Sequence, residues 1–153
     1  MAAGTGERMN SDIPKQFIEI NGLPIIIHTY KVFQAIKGLK IYIVLPNKGF
    51  DKWNKYISEY IDKDTEIIKG GSQRNISVRN GVNAIISDEG LVGIHDGVRP
   101  FISFDLISKL FDEAEKEGNA IPFTNSVNSM RKIDGKKNFS VDRSQYVQIQ
   151  TPQ

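Results

Sequence analysis

The stretch KIYIVLP (residues 40–46) has no polar face: Ile41, Tyr42, Ile43, Val44 and Leu45 follow one another, and Pro46 stops the run. A strand this uniformly apolar is buried on both sides, as in sheets covered by helices above and below. The flanking sequence supplies such helices. Ile25, Ile26, Thr29, Val32, Phe33 and Ile36 recur with helical period after Pro24, ending near Gly38, and Phe50, Trp53, Tyr56, Ile57 and Tyr60 mark a second helix. TEIIK (residues 65–69) and LVGIH (residues 91–95) read as further strands, separated by a helix carrying Ile76, Val82, Ile85 and Ile86. Ser103 can cap a helix bearing Leu106, Ile107, Leu110, Phe111 and Ala114, and NAIPF (residues 119–123) follows as a strand. The alternation predicts an α/β domain over residues 1–153, with 39% hydrophobic side chains enough for one core. After NAIPF the pattern changes. VNSMRKI, the turn pair Asp134-Gly135 and YVQIQ read as two β segments without a helix between them, an arm over about residues 124–150.

Charge and composition exclude several classes. Twenty basic residues are offset by eighteen acidic ones, a net charge of +2, so no nucleic-acid surface is expected, while small anions remain suitable ligands. Cysteine is absent, which removes disulfides and thiolate metal sites. No apolar run approaches the roughly eighteen residues of a membrane span. A cytoplasmic location is the expectation.

In a parallel α/β sheet, ligands bind beyond the carboxyl ends of the strands. Four turns there carry unusual residues: AAGTGERM, GGSQR, HDGVRPF and PFTNS. In the first, Gly4 and Gly6 would let backbone N–H groups approach a phosphate chain, and Arg8 could fork onto its oxygens. It is not a P-loop, since no G-K-[ST] follows, and Met9 stands where a dinucleotide fingerprint needs its third glycine. An ordinary tight turn is the alternative. Lys15 could add a second positive charge or be a solvated surface lysine. Gly71, Ser72, Arg74 and Ser77 lie where a strand gives way to a helix, a geometry for an anion, ribose or base, or simply a helix start. Asp96 could meet Mg²⁺ or a ribose hydroxyl, with Arg99 balancing its charge, or the pair could brace the turn before Pro100. His28 and His95 have no partner at metal-ligand spacing and read as structural. No G-x-S-x-G elbow supports a hydrolase triad.

The order AAGTGERM, PKQF, GGSQRNISV, HDGVRPF, VDRS and QTPQ resembles the 2-C-methyl-D-erythritol 4-phosphate cytidylyltransferases of non-mevalonate isoprenoid biosynthesis, and looks most like their Bacteroidetes branch. The resemblance runs the length of the chain. It implies a Rossmann-like nucleotidyltransferase fold, a mostly parallel sheet with helices on both faces and a protruding β arm. The implied reaction is Mg²⁺-dependent: the acceptor phosphate attacks the α-phosphorus of CTP and pyrophosphate leaves. By the same resemblance Arg8 and Lys15 stabilise the transition state, while Ala2, Ala3, Gly4, Thr5 and Gly6 hold the triphosphate. Gly71, Ser72 and Ser77 contact the base. Asp96, Gly97 and Arg99 lie near ribose, metal and acceptor, and the arm brings Ser126 and Arg143 to the neighbouring subunit of a homodimer.

The chain departs from the family in having Asn125 and Ser126 where an aspartate and a threonine are usual. Family members also carry a central strand before A-A-G, and a further helix, strand and lysine after QTPQ. The expectation is therefore a segment of a longer protein, unstable and inactive by itself. Two other readings share these residues: a ribitol 5-phosphate cytidylyltransferase, and a nucleotide-binding regulatory module without catalysis.

Overall fold

The structure is a computed structural model that describes residues 1–4, 13–87 and 89–153. A single 3-10 turn, Lys15–Phe17, leads into the short antiparallel pair β1 (Glu19–Ile20) and β2 (Leu23–Pro24). Helix α1 (Ile25–Gln34) starts directly after Pro24 and buries Ile26, Ile27, Thr29 and Tyr30. The KIYIVLP run forms β3 (Tyr42–Leu45), followed by α2 (Phe50–Ser58), β4 (Glu66–Lys69) and α3 (Arg74–Asn83).

Strands β3 and β4 pair in parallel, Tyr42 opposite Glu66 through Leu45 opposite Lys69. Alternation along β3 explains why it needs cover on both sides. Ile43 and Leu45 join the core with Ile27 of α1 and Ile57 of α2, whereas Val44, pointing the other way, approaches α3 so closely that a Cβ on Gly81 would sit 2.9 Å from its Cγ2. Helices therefore cover both faces, as the sequence predicts.

Two predicted boundaries move. Helix α3 stops at Asn83, which leaves Ile85 and Ile86 outside it and Ile86 85% exposed. Residues 91–95 are extended but belong to no ladder. An apolar cavity of about 880 Å³ lies between them and β3, walled by Phe33, Val78, Val82 and Phe111. Ile94 and His95, with Gly97 beyond them, bond the two ends of the chain instead. Ala2 N–H donates to Val44 O, the Met1 nitrogen donates to His95 O, and Gly97 N–H donates to Met1 O; the last two have the offset of a parallel pairing. Ile94 and Gln153 exchange both backbone bonds, the antiparallel pattern.

Helix α4 (Phe104–Glu117) begins as predicted, with Ser103 Oγ accepting from Leu106 N–H at 3.2 Å. The next strand comes later than NAIPF suggests. It is β5 (Phe123–Asn125), because Pro122 has no N–H to give a ladder. The arm also differs from two segments closing on each other. The hairpin joins β6 (Arg131–Asp134) to β7 (Lys137–Ser140), while β8 (Val147–Ile149) returns to pair antiparallel with β5. Strand β7 escaped the sequence reading because KNFS offers one large apolar residue. Every residue of β5 to β8 is exposed, so this ribbon stands off the body.

Candidate active site

Three turns converge where the parallel strands end. Residues 1–4 are clasped between Gly70, which follows β4, and Gly97. A Cβ on Gly70 would stand 2.7 Å from Ala3 Cβ and 2.8 Å from Leu45 O, and one on Gly97 would stand 3.0 Å from Ala2 Cβ. Only residues lacking a side chain allow that approach. Gly97 is held further by Thr29, whose hydroxyl donates to Gly97 O at 3.0 Å.

Asp96 is the electrostatic centre. Its Oδ1 accepts from Arg74 Nη2 at 3.2 Å, and its Oδ2 pairs with Arg99 Nε at 3.1 Å. Arg99 reaches on through Nη1 to Gln150 Oε1 at 2.6 Å, and Gln150 Nε2 donates to Thr124 Oγ1 at 3.3 Å. Thr151 Oγ1 accepts from Asp96 N–H at 3.4 Å. Two guanidiniums against one carboxylate leave a net positive junction beside the 1–4 loop, a setting for an anion.

Ser77 is buried and engaged within its own turn: Oγ accepts from Gly71 N–H and donates to Gln73 O, both at 3.0 Å. The hydroxyl shapes the turn rather than facing outward, whereas Ser72 is exposed there and the N-cap is Gln73. Lys15 is exposed on the 3-10 turn. Ser126 and Arg143 meet, with Asn125 and Ser144, around a pocket of about 310 Å³ at the base of the arm, where Arg143 Nη1 donates to Val127 O at 2.7 Å. Thr5, Gly6 and Arg8 lie outside the described residues.

Both histidines are structural here. His28 Nε2 contacts Ile20 O, and His95 Nε2 contacts Arg99 O, while burial holds the His95 imidazole below its ordinary pKa. Among the described residues no group of three or more His, Cys, Asp or Glu side chains could hold a metal. With both Asp96 oxygens paired to guanidiniums, the described residues do not fit a metal cage supplied by protein alone.

The family model "IspD: 2-C-methyl-D-erythritol 4-phosphate cytidylyltransferase" matches residues 1–153. The chain belongs to this family. Its relatives include the 2-C-methyl-D-erythritol 4-phosphate cytidylyltransferases of Bacteroides thetaiotaomicron, 37% identical over all of this chain and 70% of that protein, and of Porphyromonas gingivalis, 40% identical over all of this chain and 68% of that protein. Among solved structures, 4-diphosphocytidyl-2C-methyl-D-erythritol synthase from Anaerococcus prevotii superposes with a TM-score of 0.77 at 29% identity, covering 99% of this chain and 65% of that one. The chain thus spans about two thirds of the length of such relatives.

Within this cytidylyltransferase family fold, Ala3 lies against Gly70 and Ala2 against Gly97, Asp96 pairs with Arg99, Ser77 and Gly71 bond each other within their own turn, and Ser126 and Arg143 line one pocket. Sequence reasoning singled out Arg74 in GGSQR without joining it to Asp96, and it missed two participants: Gln150, which links Arg99 to β5, and Gln16, which is buried beneath the first loop. The QTPQ motif, quoted for the resemblance, was the one pointer to Gln150.

Proposed function

We propose that the protein transfers the cytidylyl group of CTP to 2-C-methyl-D-erythritol 4-phosphate, giving 4-diphosphocytidyl-2-C-methyl-D-erythritol and pyrophosphate. The observation that carries the reading is the positive Arg74–Asp96–Arg99 junction packed against the glycine-containing 1–4 loop, in a chain of this family. In such a transfer an acceptor phosphate oxygen forms the new bond to the α-phosphorus as the bond to pyrophosphate breaks. No covalent enzyme intermediate is needed; orientation and charge stabilisation suffice.

In this reading the loop from Ala2 to Gly6 holds the triphosphate, and Arg8 and Lys15 neutralise charge developing around the α-phosphorus. Ser72 and the Gly71 backbone border the base. The second guanidinium of the Asp96 junction leaves positive charge for the acceptor phosphate. Mg²⁺ enters with CTP, bound mainly by phosphate oxygens, and offsets charge on the leaving pyrophosphate. Ser126 and Arg143 act across a homodimer formed through the arm, which the arm's exposed apolar residues support. A cytoplasmic location is part of this reading; no helix of the described residues is long and apolar enough to cross a membrane.

Pyrophosphate release by the full-length protein with CTP and Mg²⁺ tests the reading, with methylerythritol phosphate and ribitol 5-phosphate offered in parallel. Preference for methylerythritol phosphate is expected. Preference for ribitol phosphate would reassign the acceptor, and no release with either would leave a nucleotide-binding module.

A further inference from the structure

Gln16 is 1% exposed, the most buried polar side chain of the described residues, and its amide nitrogen makes two hydrogen bonds. Nε2 donates to Ala2 O at 2.8 Å and to Gly4 O at 2.9 Å. One carboxamide therefore grips two carbonyls of the loop that lies between Gly70 and Gly97. Its neighbours in the 3-10 turn point elsewhere: Lys15 is exposed, and Phe17 is buried with its ring stacked on Trp53 of α2, centroids 3.9 Å apart and planes 5° from parallel. The turn is itself pinned by Phe17 N–H to Pro14 O at 2.9 Å and Ile18 N–H to Lys15 O at 3.2 Å.

We infer that Gln16 is a positioning residue that sets the 1–4 loop for a phosphate-bearing ligand and fixes Lys15 in register with it. The inference rests on the cytidylyl-transfer reading. Carbonyl oxygens repel an anion, and Gln16 draws two of them inward. Because a trans peptide places C=O and the next N–H on opposite sides, turning Ala2 O toward Gln16 turns the Ala3 N–H away from it, toward the loop's other side. The same residue is covalently adjacent to Lys15, and the Phe17–Trp53 stack prevents the turn from rolling. Loop and lysine consequently move as one body.

Steady-state kinetics on full-length protein test this with Gln16→Leu, which removes both donors, and Gln16→Glu, which keeps the shape but offers oxygens to two carbonyls. Wild-type turnover of CTP, measured first, tests the underlying reading separately. Losing two buried hydrogen bonds at a loop that positions charge predicts a fall in kcat/KM for CTP of about ten- to a hundredfold, with KM for the acceptor within about threefold of wild type. The Glu variant's deficit relative to wild type should shrink as pH falls from about 8 to 6, because a protonated carboxyl can donate one of the lost bonds. Thermal melting run alongside separates misfolding from misplacement. Should Gln16→Leu fail to fold, the Glu variant's pH profile carries the test. Unchanged kcat/KM for CTP, a rise in acceptor KM as large as the fall in kcat/KM for CTP, or a Glu deficit independent of pH would overturn the inference.

Discussion

At Gly70 a single methyl group has nowhere to go. A Cβ there would meet Ala3 Cβ, Leu45 O and Ser77 Oγ, all at 3.0 Å or less, so Gly70→Ala must push the 1–4 loop off β3 or open the turn after β4. The expected result is a stability loss of about 1–3 kcal/mol in urea unfolding, and at least about a tenfold loss of CTP turnover. An alanine variant with native turnover would show that the clasp is not needed. Residues of this kind differ in how openly the sequence declares them. The Asp96–Arg99 pairing was readable because charge beside a glycine or proline at a strand end is conspicuous, while the catalytic roles of these residues and of Lys15 stay with the proposal. Gln16 was not readable, since nothing in the local pattern tells an inward glutamine from a wet one, and Arg74 stood out as an anion candidate with nothing to name the acid it would meet.

The elements divide along similar lines. Strand β3, α2 and α4 were readable from period and capping, because burial on a fixed face imposes a pattern. The arm was only half readable. It has no core to answer to, so β7 leaves no apolar alternation, and residues 91–95 have strand-like composition without a ladder. What the arm does carry is exposed apolar surface. Ile133 pairs with Asn138 and Phe139 with Lys132, which puts Ile133 and Phe139 on opposite faces of the hairpin, 77% and 51% exposed. Phe123 and Ile149 are opposite one another on the β5–β8 ribbon, 59% and 58% exposed. Apolar side chains in that setting call for a covering partner, which in the proposed homodimer is a second copy. Sedimentation of an Ile133→Ser/Phe139→Ser double variant should show a monomer where the wild type is a dimer. A variant that still sediments as a dimer, or a monomeric wild type, would remove the arm from the interface.

Across the whole molecule, the α/β class followed from alternation alone, whereas the closure of the sheet did not. No local pattern announces that Ala2 will bond Val44, that Met1 will lie along His95 and Gly97, or that Ile94 and Gln153 will exchange hydrogen bonds. Those pairings have a consequence in time rather than in space. The Asp96 turn is bordered by segments some 94 residues apart in sequence at Met1 and His95, and contacts of that separation form late because the intervening loop must first be ordered. Trp53 on Phe17 and the parallel pair β3–β4 are nearer neighbours along the chain. After dilution from denaturant, Trp53 fluorescence should therefore recover ahead of CTP turnover, and simultaneous recovery would count against this order. During synthesis and refolding alike, the protein would pass through a period in which its scaffold is built and its chemistry has not yet begun.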